Sequence, residues 1–136
     1  MVNASTSQTR QLGQQGEQAA SSYLAQAGYA IVATNWRAGR LGEIDIIATT
    51  PLPKDKGRSP ALVFIEVKTR RNNTQGHPLE AIDARKQQQL LKVAEHFLLK
   101  HPEYAETFCL RFDAIGIEWP NPKQPPSIHH LENIMN

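Results

Sequence analysis

Residues 61–68 read Ala-Leu-Val-Phe-Ile-Glu-Val-Lys, a strand pattern in which side chains two apart share a face. Leu62, Phe64, Glu66 and Lys68 line one face, and Ala61, Val63, Ile65 and Val67 the other. Two successive charges at the end of an apolar face are costly unless they are paired. A Glu66–Lys68 ion pair at an exposed strand end is the structural account. A chemical account gains from residues 43–48, Glu-Ile-Asp-Ile-Ile-Ala, where Asp45 is embedded among isoleucines. Alternation puts Glu43, Asp45 and Ile47 on one face, with Ile44, Ile46 and Ala48 opposite. Asp45 beside Glu66 would bring two negative charges together in a poorly solvated place, where they repel unless a cation lies between them. Oxygen ligands so arranged suit a hard ion, Mg²⁺ or Mn²⁺. Lys68 would flank that ion, orienting an attacking water or stabilising charge on a phosphate.

Other candidates are less sharp. Glu17 shares a helical face with Ala20, Ser21 and Leu24. Lys86 lies four residues from both Ile82 and Leu90, so its stem covers the core or its ammonium reaches a phosphate. Arg37, Arg40, Arg70 and Arg71 leave strand ends on one side of the sheet if the first two strands are antiparallel, and arginine suits bidentate phosphate contacts. The five histidines have no zinc-ligand spacing and read as surface residues. Cys109 reads as a small buried apolar residue. Trp36 and Trp119 read as core or rim aromatics, with Trp36 beside Arg37 a candidate for stacking on a base.

The elements that must position these groups follow from periodicity. A polar tail over residues 1–8 precedes a helix from about Arg10 to Ala27, stopped by Gly28. Strands are expected at residues 29–36, 43–48, 61–68 and 109–119, with a short edge strand at 127–134. The third, apolar on both faces, should be central. A flexible loop spans residues 50–60, and a second helix runs from Pro78 to about Lys100, ended by Pro102. The order α-β-β-β-α-β-β predicts one α/β domain over residues 9–136, a mixed sheet of about five strands flanked by helices.

Composition narrows the class. With 136 residues the chain is one domain. It has 15 Lys+Arg against 13 Asp+Glu, net charge +2, too mild to announce nucleic-acid binding unaided. No apolar run approaches a membrane span, and the polar start argues against export, so a cytoplasmic protein with no membrane partner is expected. One cysteine excludes an intramolecular disulfide and a cysteine-based zinc finger.

Asp45 followed by Glu66-Val67-Lys68 resembles the PD-(D/E)xK phosphodiesterase signature. With Gly16-Glu17, Asn35-Trp36-Arg37, Gly42-Glu43-Ile44-Asp45, Phe64 to Arg70, Lys86 and Arg111-Phe112-Asp113, residues 10–133 resemble the YraN-like family of small bacterial proteins. That family is related in fold to Holliday-junction resolvases and other restriction-endonuclease-like nucleases. The resemblance implies a metal held by Asp45 and Glu66, the carbonyl of Val67 as a further ligand, Lys68 as the motif lysine and Glu17 as the acid of the first helix. The motif's proline is missing, since Ile44 precedes Asp45. A metal-dependent nuclease acting on DNA rather than RNA is the leading expectation, with Arg37, Arg40, Arg70, Arg71 and Lys86 contacting the nucleic acid. A non-catalytic nucleic-acid-binding or adaptor module on the same fold is the alternative, and a purely structural domain a third. One unit is small to span a DNA junction, which leaves room for a homodimer.

Overall fold

β-branched and aromatic runs separated by short turns build a sheet in which each strand lies beside its neighbours in sequence. The computed structural model describes residues 4–51, 59–72 and 76–135, with side chains from residue 8 onward and without that of Ala81. The elements are α1 (Ala4–Gln26), β1 (Ala30–Arg37), β2 (Glu43–Thr49), β3 (Ala61–Arg70), α2 (Ala84–Lys100), α3 (Pro102–Thr107), β4 (Cys109–Glu118) and β5 (Ser127–Leu131). Two 3₁₀ turns, Gly39–Leu41 and Pro78–Ala81, precede β2 and α2. The sheet order is β1-β2-β3-β4-β5, with β3 and β4 parallel and the other pairs antiparallel. This is the expected α/β architecture.

As its two-faced apolar pattern demands, β3 is central. Ala61, Val63, Ile65 and Val67 pack with Ala20 and Leu24 of α1. Leu62 and Phe64 pack with Leu90, Val93, Ala94 and Phe97 of α2. Trp36 meets the Phe97 ring edge-on under the Lys100 ammonium, so it serves the α2 core and not a base stack.

Several expectations need correcting. The α1 backbone is helical from Ala4, six residues before the expected start. The second helix does not run from Pro78. Pro78 opens a 3₁₀ turn capped by His77, and α2 starts afresh where the Asp83 carboxylate accepts the Lys86 amide. A local cap thus outcompetes continuation of the helix. Pro102 ends α2 but also starts α3, being tolerated in a first turn. Cys109 is exposed at the start of β4. Of the loop expected at 50–60, residues 52–58 lie outside the described residues.

Strict alternation fails in β2. Ile44 and Ile47, three apart, pack in the same cluster against α2, while Ile46 and Ala48 face α1. The expected grouping of Ile44 with Ile46 and Ala48 is therefore wrong. The break coincides with Asn35 of β1, which lies between the Thr34↔Ile46 and Trp36↔Ile44 pairs and takes a left-handed conformation with φ 50°, tolerated by asparagine. The change of face falls on Asp45–Ile46, where β2 also parts from β3.

Candidate functional site

The β2–β3 ladder runs from Thr49↔Leu62 to Ile46↔Ile65 and ends there. Past that point the strands fork. Asp45 stands in the fork, 8% exposed, and its Oδ2 accepts the Val67 amide at 2.8 Å. A side-chain oxygen thus satisfies a backbone donor that the ladder no longer reaches, which pins the carboxylate between the two sheet faces.

Glu66 follows on β3 with its side chain toward α2, 3% exposed. Its Oε1 faces two ammonium groups, Lys86 Nζ at 3.3 Å and Lys68 Nζ at 3.6 Å. Its Oε2 is buried with no hydrogen-bond partner among the described residues. The Glu66–Lys68 pair of the structural account therefore exists, but at a buried acid rather than an exposed strand end. Lys86 also reaches the acid, so its stem and its charge both serve.

Glu17 arrives from the other side of the fork. Gly16 makes this approach possible, since a Cβ there would collide with Thr69 of β3. With α1 so close, the Glu17 carboxyl comes beside Asn35 and Asp45. The left-handed Asn35 thus sits at the break in β2 and also beside the incoming acid, a role that no charge pattern announces.

Electrostatics reflect the crowding. Burial, reinforced by the Asp45 charge, pushes Glu66 up to about 7 despite the two lysines. Burial and the Asp45 charge likewise push Glu17 up to about 7, against the Asn35 hydrogen bond. Asp45 is also raised, by burial and by Glu43, with the Val67 amide and the lysines opposing. Two glutamates that disfavour ionisation beside the same buried Asp45 mark a cation-attracting place.

The arginines are less unanimous. Arg37 is tied to Glu43 at 3.2 Å on the exposed rim. Arg40 lies in the Gly39–Leu41 turn and lines a groove with Lys86. Arg70 bonds the Thr69 carbonyl and keeps a buried Nε without a partner among the described residues; Arg71 is exposed.

Two further clusters were not legible from spacing. Asp113, fully buried on β4, accepts both Arg111 Nε at 2.9 Å and Nη2 at 2.8 Å, pairs with His130 Nε2 at 2.8 Å, and accepts the Asn133 amide at 3.0 Å. His130, expected at the surface, is buried there because β5 docks its ring against Tyr23 and Tyr29 of the α1 side. The second cluster joins His77, Glu118 and His129, with His77 Nε2 3.3 Å and His129 Nε2 3.9 Å from Glu118 Oε1. His77 Nδ1 accepts the Leu79 amide, which places a neutral ring's proton on Nε2, facing Glu118. In that tautomer His77 is a hydrogen-bond donor to Glu118 rather than a metal ligand through Nε2.

Comparisons with known proteins agree on one group. A family model described as "Uncharacterised protein family UPF0102" matches residues 16–117, a span that contains Glu17, Asp45, Glu66, Lys68 and Lys86. The chain is 37% identical over 128 residues to a UPF0102 protein of Desulforamulus reducens, covering 94% of this chain and 98% of that one. It is 38% identical over 124 residues to one of Alkaliphilus oremlandii, covering 91% and 97%. A Pseudomonas aeruginosa relative is 34% identical over 128 residues, covering 94% of each chain. Among the described residues no helix is long and apolar enough to cross a membrane.

Proposed function

This chain belongs to uncharacterised protein family UPF0102, and from that premise we propose that it is a metal-dependent nuclease of the PD-(D/E)xK type, hydrolysing phosphodiester bonds in DNA, with branched or structured DNA as its substrates. The observation that carries the reading is Glu66 Oε2. A buried carboxylate oxygen without a donor costs a fold about 1–3 kcal/mol. Here its companion oxygen already takes two ammonium groups and the Asp45 charge presses on it as well. The oxygens of Asp45 and Glu66, with the Val67 carbonyl as a further donor, suit a hard cation of the Mg²⁺ or Mn²⁺ class; the Glu17 oxygen does not gather with both within 4.8 Å, so it would complete the set through a water that such an ion keeps. When bound, such an ion would neutralise charge on the phosphate and acidify a water.

The protein's own groups do the rest. Asp45, fixed by the Val67 amide, sets where the acids meet. Lys68 and Lys86 hold positive charge at Glu66 and stand ready for the extra negative charge of the phosphate in the transition state, with Lys68 orienting the water. The reading goes with a cytoplasmic protein that prefers DNA to RNA, and with a homodimer.

The test incubates the protein with branched, single-stranded and duplex DNA in Mg²⁺ or Mn²⁺. Cleavage that disappears in both Glu66→Ala and Lys68→Ala is the expected result. Equal activity in those variants would identify a contaminant. Salt-sensitive DNA binding that ignores both divalent cations and Asp45→Asn would make the protein a non-catalytic binding module instead.

A further inference from the structure

We propose that one strand of the substrate reaches the carboxylate centre along a basic groove between the Gly39–Leu41 turn and the first turns of α2, its phosphates held by Arg40, Arg85, Lys86 and Lys92. This rests on reading the centre as phosphodiester-cleaving, and it adds the route, with Arg85 and Lys92 as new contacts. The groove has a volume of about 580 Å³ and sets those four cations against one acid, Asp83, whose Oδ1 is already engaged by the Lys86 amide. Its volume suits a few nucleotides of one strand. Lys86 is common to both places: it lines the groove, and its Nζ lies 3.3 Å from Glu66 Oε1.

Two features show that the groove is built rather than incidental. First, α2 has no acid in its first turn and carries Arg85 and Lys86 there instead. The helix dipole favours negative charge at that end, so these residues work against the helix that holds them. The Asp83 carboxylate already serves the helix end, so a bound phosphate would answer the two cations that the helix itself does not need. Second, the two walls are tied together. Gln89 Nε2 donates to the Leu41 carbonyl at 3.0 Å, and Gly42, with φ 128°, leaves room for that amide, since a Cβ would come within 2.5 Å of it. Arg40 is thereby presented opposite α2 before any ligand arrives.

A comparison within the molecule decides on which side the phosphates run. A second groove, of about 570 Å³, opens beside Glu17. Apart from Glu17 it is lined by amides and hydroxyls such as Gln14, Gln18, Ser21 and Asn35, with no cation. Arg37 is committed to Glu43. The α2 groove therefore offers the concentration of positive charge that adjoins the acids.

The test measures fluorescence anisotropy of a labelled single-stranded oligonucleotide in chelator, where metal-dependent cleavage is silent, over a range of salt. The Arg85→Gln/Lys92→Gln double variant should bind about tenfold more weakly at about 50 mM salt, and the slope of log K against log salt should shrink by about 1.4, since each single-strand phosphate contact contributes about 0.7. Lys123→Gln, in the exposed β4–β5 turn, should match the wild type. Removing Arg85 relieves the helix end, so a melting temperature at or above wild type would exclude misfolding as the cause. Equal affinity and slope in the double variant would overturn the groove. If the binding pattern holds but wild-type protein never cleaves DNA in Mg²⁺ or Mn²⁺, the groove stands and the nuclease reading falls; cleavage with an unaffected slope is the reverse.

Discussion

Two buried carboxylates sit on adjacent strands of one sheet and are treated in opposite ways. Asp113 lies opposite Ile65, one residue from Glu66, and both are almost fully buried. Every lone-pair direction of Asp113 is served, by a bidentate arginine, a histidine and a backbone amide. Burial alone would raise its pKa, yet the hydrogen bonds from His130, Arg111 and Asn133 bring it below the ordinary value. Glu66 has two lysines on one oxygen, none on the other, and acids nearby, and it is pushed up to about 7. The fold can evidently satisfy a buried acid, so the shortfall at Glu66 is specific to that place. Local conflict with stability is what a binding centre looks like against a consistent background.

The largest expected effect tests the satisfied member. Asp113→Ala strands the Arg111 guanidinium, His130 and the Asn133 amide together, and should cost about 3–5 kcal/mol in urea unfolding. Glu66→Gln removes an uncomfortable charge and should stay within about 1 kcal/mol of wild type or gain stability. Equal losses in the two variants would abolish the contrast.

Next in size is activity. On the proposed reading, Glu66→Gln should lower DNA cleavage by about a hundredfold or more while the melting temperature holds. Parallel loss of fold and activity would make Glu66 structural, like Asp113.

The pH profile should divide the two acids again. Glu66 and Glu17 are raised from 4.5 to about 7 in the folded state, so between those values the native protein binds more protons than the unfolded chain. Stability is then greatest near the low end of that window and falls as pH rises to about 7, on the order of 2 kcal/mol, with the partly exposed Glu17 adding less. Asp113 works the other way: its contribution is present above its unfolded value of 3.8 and is lost as pH drops through its lowered native value. Thermal melts from pH 3.5 to 8 without divalent cations should therefore peak near pH 4.5. Mn²⁺ should raise the melting temperature more at pH 7.5 than at pH 5.5, because its ligands must shed protons. A flat profile, or an equal Mn²⁺ shift at both pH values, would contradict the account of Glu66.

How far this was legible depended on whether a charge broke a local pattern. Asp45, Glu66 and Lys68 stand out because they interrupt apolar alternation, and the same alternation makes β3 central. Which way Asp45 faces is not legible, because it depends on where the β2–β3 ladder stops, a place also marked by the left-handed Asn35 on the neighbouring strand. The start of α2 was misjudged because Pro78 and Asp83 both suit a helix start, and the Asp83 cap acts only where the chain bends after the 3₁₀ turn. Asp113 and His130 are 17 residues apart and meet through β4–β5 pairing, so no spacing rule joins them. Arg85 and Lys92 break no local pattern, and only the turn opposite gives the groove its second wall.

The smallest effect asks whether the two acids are independent. Tyr23 Oη meets His130 Nδ1 at 2.9 Å, while His130 Nε2 holds Asp113. Tyr23→Phe keeps the ring-edge packing on His130 and deletes one hydrogen bond, which should cost about 1 kcal/mol. Because Tyr23 and Glu17 share α1, any shift of the helix would also reach the acidic centre. Rigid packing of Ala20 and Leu24 on the same helix predicts no such shift. The variant should melt slightly lower at every pH, with the fall between pH 4.5 and 7 unchanged in size. A fall that grows or shrinks with Tyr23→Phe would show that the satisfied acid tunes the unsatisfied one through α1.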